Sequence, residues 1–312
     1  MKQQSAEDLR AETTELLRQV RLIELQTARL VDQHLAGSYQ SVFKGQGIAF
    51  AEVRAYEPGD DVRAIDWNVT ARTGAPHIKQ FTEERELTVM LLVDMSGSLD
   101  LGSRGFTKRQ LVARLVATFA FSAIRNNDRV GLIGYTDEVE LFVPPRSGRK
   151  HVLAVISRIL THQPSSRKTR HEVGLEYLAR MGKSHAVVTL ISDFVDALPE
   201  DGAGRFERAL KLVRRRNDLI PVRVEDPMDR ELPPLGLVAP EDLELLGIVS
   251  GAAIDLSPRR AEQYRVAAGA ECDRFDRLMA RLRLETMSVT CGESWQEPMV
   301  RFFERRARRM RR

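Results

Sequence analysis

Asp94, Ser96 and Ser98 stand at alternate positions directly after the apolar run of residues 89–93. A run of that kind reads as a buried strand. In an open α/β sheet, ligands bind just beyond the carboxyl ends of strands. One carboxylate and two hydroxyls at i, i+2 and i+4 can be turned toward one point. Donors that are all oxygen suit a hard cation, Mg²⁺ first, with Mn²⁺ or Ca²⁺ as alternatives. Two further ligands are expected from neighbouring loops. One is Thr169, in a polar loop that also holds Ser165 and Ser166; the other is Asp193, after the second apolar run at 186–191. Two carboxylates and three hydroxyls leave a dication one coordination position for water or for a partner's carboxylate. Asp and Ser after a strand also serve as turn formers and helix N-caps, and that reading stands beside the metal one.

The elements that must position these side chains follow from periodicity. Residues 5–35 carry Leu9, Leu16, Val20, Ile23, Leu30 and Val31 near helical spacing, so one amphipathic helix is expected. Residues 38–86 read as extended pieces with a turn at Glu57-Pro58-Gly59-Asp60-Asp61. From residue 87 strands alternate with helices. Strands are expected at 87–94, 186–191, 219–224 and 287–291, with a hairpin over 129–135 and 139–143. Helices are expected at 107–125, 151–160, 171–181, 206–215 and 257–282, with a last one from Glu293. Residues 225–257 are Pro-rich, with a hairpin expected near 243–254. The pattern implies an α/β fold: a doubly wound, mostly parallel sheet with one antiparallel edge strand. The organisation expected is an N-terminal helix (1–36), an extended charged segment (37–86), the main domain (87–300) and an Arg-rich tail (301–312).

Composition narrows the function. The chain has 312 residues, 43% hydrophobic and 29% charged, with a net charge of +4. Residues 301–312 hold seven Arg and one Glu, a surplus of +6, so the rest of the chain is close to neutral at −2. Cys272 and Cys291 give neither a disulfide framework nor metal spacing, which suits a reducing compartment. No secretory signal or membrane-spanning run is read, so the expected location is the cytoplasm. Gly182-Lys183-Ser184 resembles the end of a P-loop, but the first glycine would fall at Tyr177. His171-Glu172 would need a second histidine where Leu175 stands. No nucleophile elbow is present. A binding module is therefore expected, not an enzyme. Two alternatives stay open: a metal-dependent hydrolase using Asp94 and Asp193, and a binder of nucleic acid or anionic surfaces through the Arg tail.

A longer stretch resembles a known family. Ser41-Val42-Phe43-Lys44-Gly45-Gln46-Gly47, then Phe50-Ala51-Glu52-Val53-Arg54-Ala55-Tyr56-Glu57-Pro58-Gly59-Asp60-Asp61-Val62-Arg63-Ala64-Ile65-Asp66-Trp67 and Thr70-Ala71-Arg72 are similar to the signature of the "domain of unknown function fifty-eight" family. The resemblance spans roughly residues 36–300. It implies a von Willebrand factor type A-like domain with a metal-ion-dependent adhesion site. By motif that site is Asp94, Ser96, Ser98, Thr169 and Asp193. It also implies an adaptor or chaperone-like partner of a MoxR-type AAA+ ATPase or of its client, with no small-molecule substrate. One departure is the loop Arg167-Lys168-Thr169-Arg170-His171, which lacks the Gly-Gly that often precedes the threonine. In the charged segment, Arg54, Asp60, Asp61, Arg63, Asp66 and Arg72 are expected to form an internal ion-pair network. Trp67 is expected to be a packing anchor.

Overall fold

The structure is a computed structural model, and it describes residues 6–35, 39, 53–57, 62, 65–79, 86–103, 107–182, 185–195, 197–198, 204–238 and 254–310. The first helix, α1, is Ala6–Leu30 and runs on as a π-helical turn, Val31–Leu35. Strands β1 (Val53–Ala55) and β2 (His77–Lys79) pair antiparallel. Between them lies a short helix, α2 (Trp67–Thr73), where only extended chain was expected. Its signals are local. Asp66 caps it, accepting from Asn68 N (3.0 Å) and Val69 N (3.3 Å), and Gly74 ends it at φ 74°. Asp66 therefore serves the backbone of its own helix. Trp67 is 69% exposed, so it is no packing anchor. Arg72 is exposed. Asp60, Asp61, Arg63 and the Arg54 side chain lie outside the described residues, as do residues 40–52 of the family signature.

The main sheet follows the expected alternation. In chain order its elements are β3 (Thr88–Asp94), α3 (Lys108–Arg125), β4 (Arg129–Tyr135), β5 (Val139–Arg146), α4 (Arg149–Thr161), α5 (His171–Arg180), β6 (Val187–Ser192), α6 (Gly204–Arg214) and β7 (Asp218–Glu225). After it come the single turn α7 (Pro227–Arg230), the antiparallel pair β8 (Gly236–Val238) and β9 (Ile254–Leu256), α8 (Pro258–Arg281), β10 (Met287–Thr290) and α9 (Gln296–Met310). Most of the hairpin expected near 243–254 lies outside the described residues. The six strands take the order β10-β7-β6-β3-β4-β5. All neighbours are parallel except β4 and β5, so β5 is the antiparallel edge.

Strand alternation divides the core between two faces. Val89, Leu91 and Val93 of β3 pack toward α1, α3, α4 and α9. Met90 and Leu92 pack toward α5, α6 and α8. β3 is covered on both sides, which is why its sequence is continuously apolar instead of alternating. Helix α3 is buried almost all round, through Leu111, Val112, Leu115, Val116, Phe119 and Ala120 among others. Thr107 and Gln110 form a reciprocal capping box at its start. Asp94 has the parity of Met90 and Leu92, so it leaves the strand on the α5 side.

The expected tail is part of the body as far as residue 310. Met299, Phe302, Phe303 and Ala307 of α9 are buried in the first face, so the boundary drawn at residue 300 falls inside a helix. Its arginines meet acids: Arg301 with Glu297 (2.6 Å), Arg305 and Arg309 with Glu285 (3.2 Å each), and Arg306 with both oxygens of Asp218 (2.6 Å). Arg311 and Arg312 lie outside the described residues. Among the described residues no helix is long and apolar enough to cross a membrane. Phe303 is wholly buried, with its ring 5.8 Å from that of Phe119. Truncation to Ala should cost about 3–5 kcal/mol, read as a lower urea midpoint with an unchanged denaturant slope. An unchanged midpoint would show α9 to be an appendage.

Candidate metal centre

The strand-to-loop turn after β3 is held by its own carboxylate. Asp94 is fully buried; its Oδ1 accepts from Ser96 N (2.9 Å) and its Oδ2 from Ser192 Oγ (2.7 Å). The first bond folds the chain back so that Ser96 Oγ and Ser98 Oγ come within 3.1 Å of each other. Ser98 in turn lies near enough to Asp193 to help hold its carboxyl below the ordinary value. Asp94, Ser96, Ser98 and Asp193, four of the five expected ligands, are thus brought together by β3, β6 and the loop after β3.

Thr169 belongs to a neighbouring loop. That loop rests on the others at two points: Arg167 O accepts from Gly97 N (3.4 Å), and Arg170 N donates to Thr136 O at the end of β4 (3.1 Å). Thr169 lies between these contacts and is half-buried. Among the described residues its hydroxyl makes no hydrogen bond to the other four. Gly97 has a spatial reason to be glycine, since a Cβ there would stand 3.0 Å from Arg167 Nε. The loop's main anchor is Glu140 of β5. Its carboxylate accepts from Ser165 Oγ (2.7 Å), Ser165 N (3.1 Å) and Thr136 Oγ1 (2.8 Å). Ser165 is therefore committed to this anchor. Burial opposes the charge on Glu140, but these donors outweigh it and hold its pKa down at about 2.

Asp193 sits in a strained turn. The next residue, Phe194, takes a left-handed φ of 56°, costly for a bulky side chain. The turn lets Phe194 N reach Ser192 Oγ (3.0 Å) and Val195 N reach Asp193 Oδ1 (3.2 Å). Aromatic packing holds it: the Phe194 ring stacks on Phe275 at 4.5 Å and lies 5.6 Å from the His171 ring. His171 Nδ1 is 4.0 Å from Asp94 Oδ2. Burial, with the Asp193 charge adding to it, pushes the Asp94 carboxyl up, against the opposing pull of His171. Burial acts on Asp193 as well, but there it is outweighed by the Lys108 ammonium, and the Asp193 carboxyl lies below its ordinary value.

Ser192, Lys108 and Glu140 were not singled out from sequence, and His171 was weighed only for a zinc motif that fails at Leu175. Lys108 left the clearest trace. It opens α3 at the helix end that repels cations, so a buried acid had to answer it. That acid is Asp193, whose Oδ2 lies 3.0 Å from the Lys108 ammonium.

The family described as "Protein of unknown function DUF58" matches residues 52–267, which include all five expected ligands. The chain belongs to this family. An uncharacterized protein of Mycobacterium tuberculosis is 32% identical over 291 residues, 93% of this chain and 89% of that one. The crystal structure of the conserved hypothetical protein BatB from Bacteroides thetaiotaomicron is 16% identical and covers 71% of this chain and 99% of its own, at a TM-score of 0.43. The von Willebrand factor type A structure from Catenulispora acidiphila is 13% identical and covers 61% and 43%, at a TM-score of 0.33. The architecture of this DUF58 chain is the expected α/β one, a mostly parallel six-stranded sheet with one antiparallel edge strand.

Glu140 yields a test of how the third loop is held. Its folded pKa lies below the ordinary 4.5, so its contribution to stability is complete above pH 4.5 and is lost as pH falls through about 2. Glu140→Gln should lose about 1.5–3 kcal/mol at pH 7. The gap to the parent should narrow in urea melts taken progressively below pH 4.5. A gap that is constant with pH would mean that the charge plays no part in anchoring the loop.

Proposed function

We propose that this chain is a protein-interaction module that binds a divalent cation, Mg²⁺ first, through Asp94, Ser96, Ser98 and Asp193. Thr169 is the candidate for a fifth ligand. The coordination position left over takes a carboxylate from a partner protein. The observation that carries this reading is the convergence of four oxygen-bearing side chains from two strand ends and one loop. The donor set fits the ion. Two adjacent oxygens around an octahedral Mg²⁺, bound at about 2.0–2.1 Å, stand about 2.9 Å apart; the two serine hydroxyls are 3.1 Å apart. When bound, the cation supplies a positive centre for an acidic side chain. Neutral hydroxyls among the ligands leave more of that charge uncancelled than carboxylates would.

The chain's own groups orient the set. Ser96 N and Ser192 Oγ fix both oxygens of Asp94, and Val195 N fixes one oxygen of Asp193. Binding is favoured over hydrolysis because Ser192, whose hydroxyl lies 3.5 Å from His171 Nδ1, is fully buried and donates to Asp94. The partner class comes from the family resemblance: a MoxR-type AAA+ ATPase or its client. The test measures binding of such an ATPase to the immobilised chain in Mg²⁺ and in chelator, beside Asp94→Asn, which keeps an acceptor for Ser96 N. Chelation and the substitution should each weaken binding by at least about tenfold. Equal binding in all three conditions would remove the metal-dependent reading.

A further inference from the structure

Among the described residues, Lys108 is the lysine in direct contact with the candidate ligand set, and binding an ion through oxygen donors does not call for it. Its side chain is wholly buried at the start of α3. The ammonium donates to Asp193 Oδ2 (3.0 Å) and to the Asp229 carboxylate (2.7 Å). Asp229 is fixed independently. Its Oδ2 accepts from Asp226 N (2.7 Å), and its backbone carbonyl accepts from Tyr264 Oη (3.2 Å). Asp226 accepts in turn from Ser103 N (2.9 Å) and Ser103 Oγ (2.6 Å), in the loop that follows Ser98. One carboxylate of the ligand set therefore already shares a positive charge, and a second, rigidly held carboxylate stands on the far side of that charge.

We infer that Lys108 is an internal counter-cation of the candidate metal centre, holding Asp193 in place when no divalent ion is bound and weakening the ion's attachment when one is, while Asp229 draws the ammonium away from Asp193. The inference rests on the metal-dependent reading. Its physical basis is competition: two cations that share one buried carboxylate repel each other across a medium that screens poorly. Asp229 moderates the repulsion by offering the ammonium another anion. A site built in this way keeps its shape without metal, because a buried carboxylate stripped of its partner is strongly destabilising. It also binds its ion exchangeably.

The test titrates the full chain with Mn²⁺ by calorimetry and follows thermal unfolding with and without chelator. The proteins are the parent, Lys108→Met, Asp229→Asn and Asp94→Asn. Lys108→Met should bind Mn²⁺ roughly tenfold tighter than the parent. It should unfold at a lower temperature in chelator and recover when Mn²⁺ is added. Asp229→Asn should bind roughly tenfold more weakly, since the ammonium then bears on Asp193 alone. Opposite signs set this role apart from a merely structural one, which would weaken binding in both variants. Unchanged or weaker binding by Lys108→Met overturns the inference while leaving the metal reading intact, provided the parent binds Mn²⁺ and Asp94→Asn does not. If Lys108→Met fails to fold, Asp229→Asn decides, and unchanged or tighter binding there overturns it. If the parent binds no Mn²⁺, the metal reading falls and this inference falls with it.

Discussion

Two carboxylates, Asp94 and Asp193, are withdrawn from water at the ends of adjacent strands, and like charges in such a place must be answered. Every nearby polar contact contributes to that answer. Ser96 N, Ser192 Oγ and Val195 N donate to them, and the Lys108 ammonium stands against the second. The two acids respond differently because the Lys108 ammonium touches Asp193 at 3.0 Å, whereas His171 stands 4.0 Å from Asp94. Asp193 is eased toward ionisation and Asp94 is not. The imbalance is a property of the fold itself, because it arises from which helix begins beside which strand.

The packing explains how such a cluster can be held. Both faces of the sheet are filled, so β3 has no freedom to slide, and a shift of one residue would exchange its two apolar sets. Asp94 is thereby committed to the α5 side, where His171, Phe194, Phe206 and Phe275 form an aromatic wall. That wall holds Phe194 in its left-handed conformation, and the turn it stabilises aims the Asp193 carboxylate. Unfavourable backbone geometry at one residue is balanced by ring packing contributed from three helices.

Much of this was legible in the sequence, and the reasons differ by element. The unbroken apolar runs ending in Asp94 and Ser192 announced central parallel strands, and the alternation with helices implied the doubly wound order. Helix α2 was missed because its seven residues are too few for periodicity, although Asp66 and Gly74 marked its ends. Trp67 was misjudged for a related reason: side-chain size speaks for burial, but the face of so short a helix cannot be read from spacing. Within the site, the convergence of Asp94, Ser96 and Ser98 could be expected because their alternate spacing is local. The roles of Lys108, Glu140 and His171 could not, because they depend on which strand ends and helix starts become neighbours. Asp229 lies 121 positions from Lys108 in the chain.

That distance along the chain has a kinetic meaning. Asp94 and Ser192 meet across 98 positions, and Lys108 and Asp193 across 85. Closing loops of this size costs entropy before any contact rewards it, and parallel pairing of this kind forms slowly. β3 and β6 must therefore zip together before the four oxygens have any common centre. An ion bound as proposed would therefore meet a finished receptacle instead of templating one.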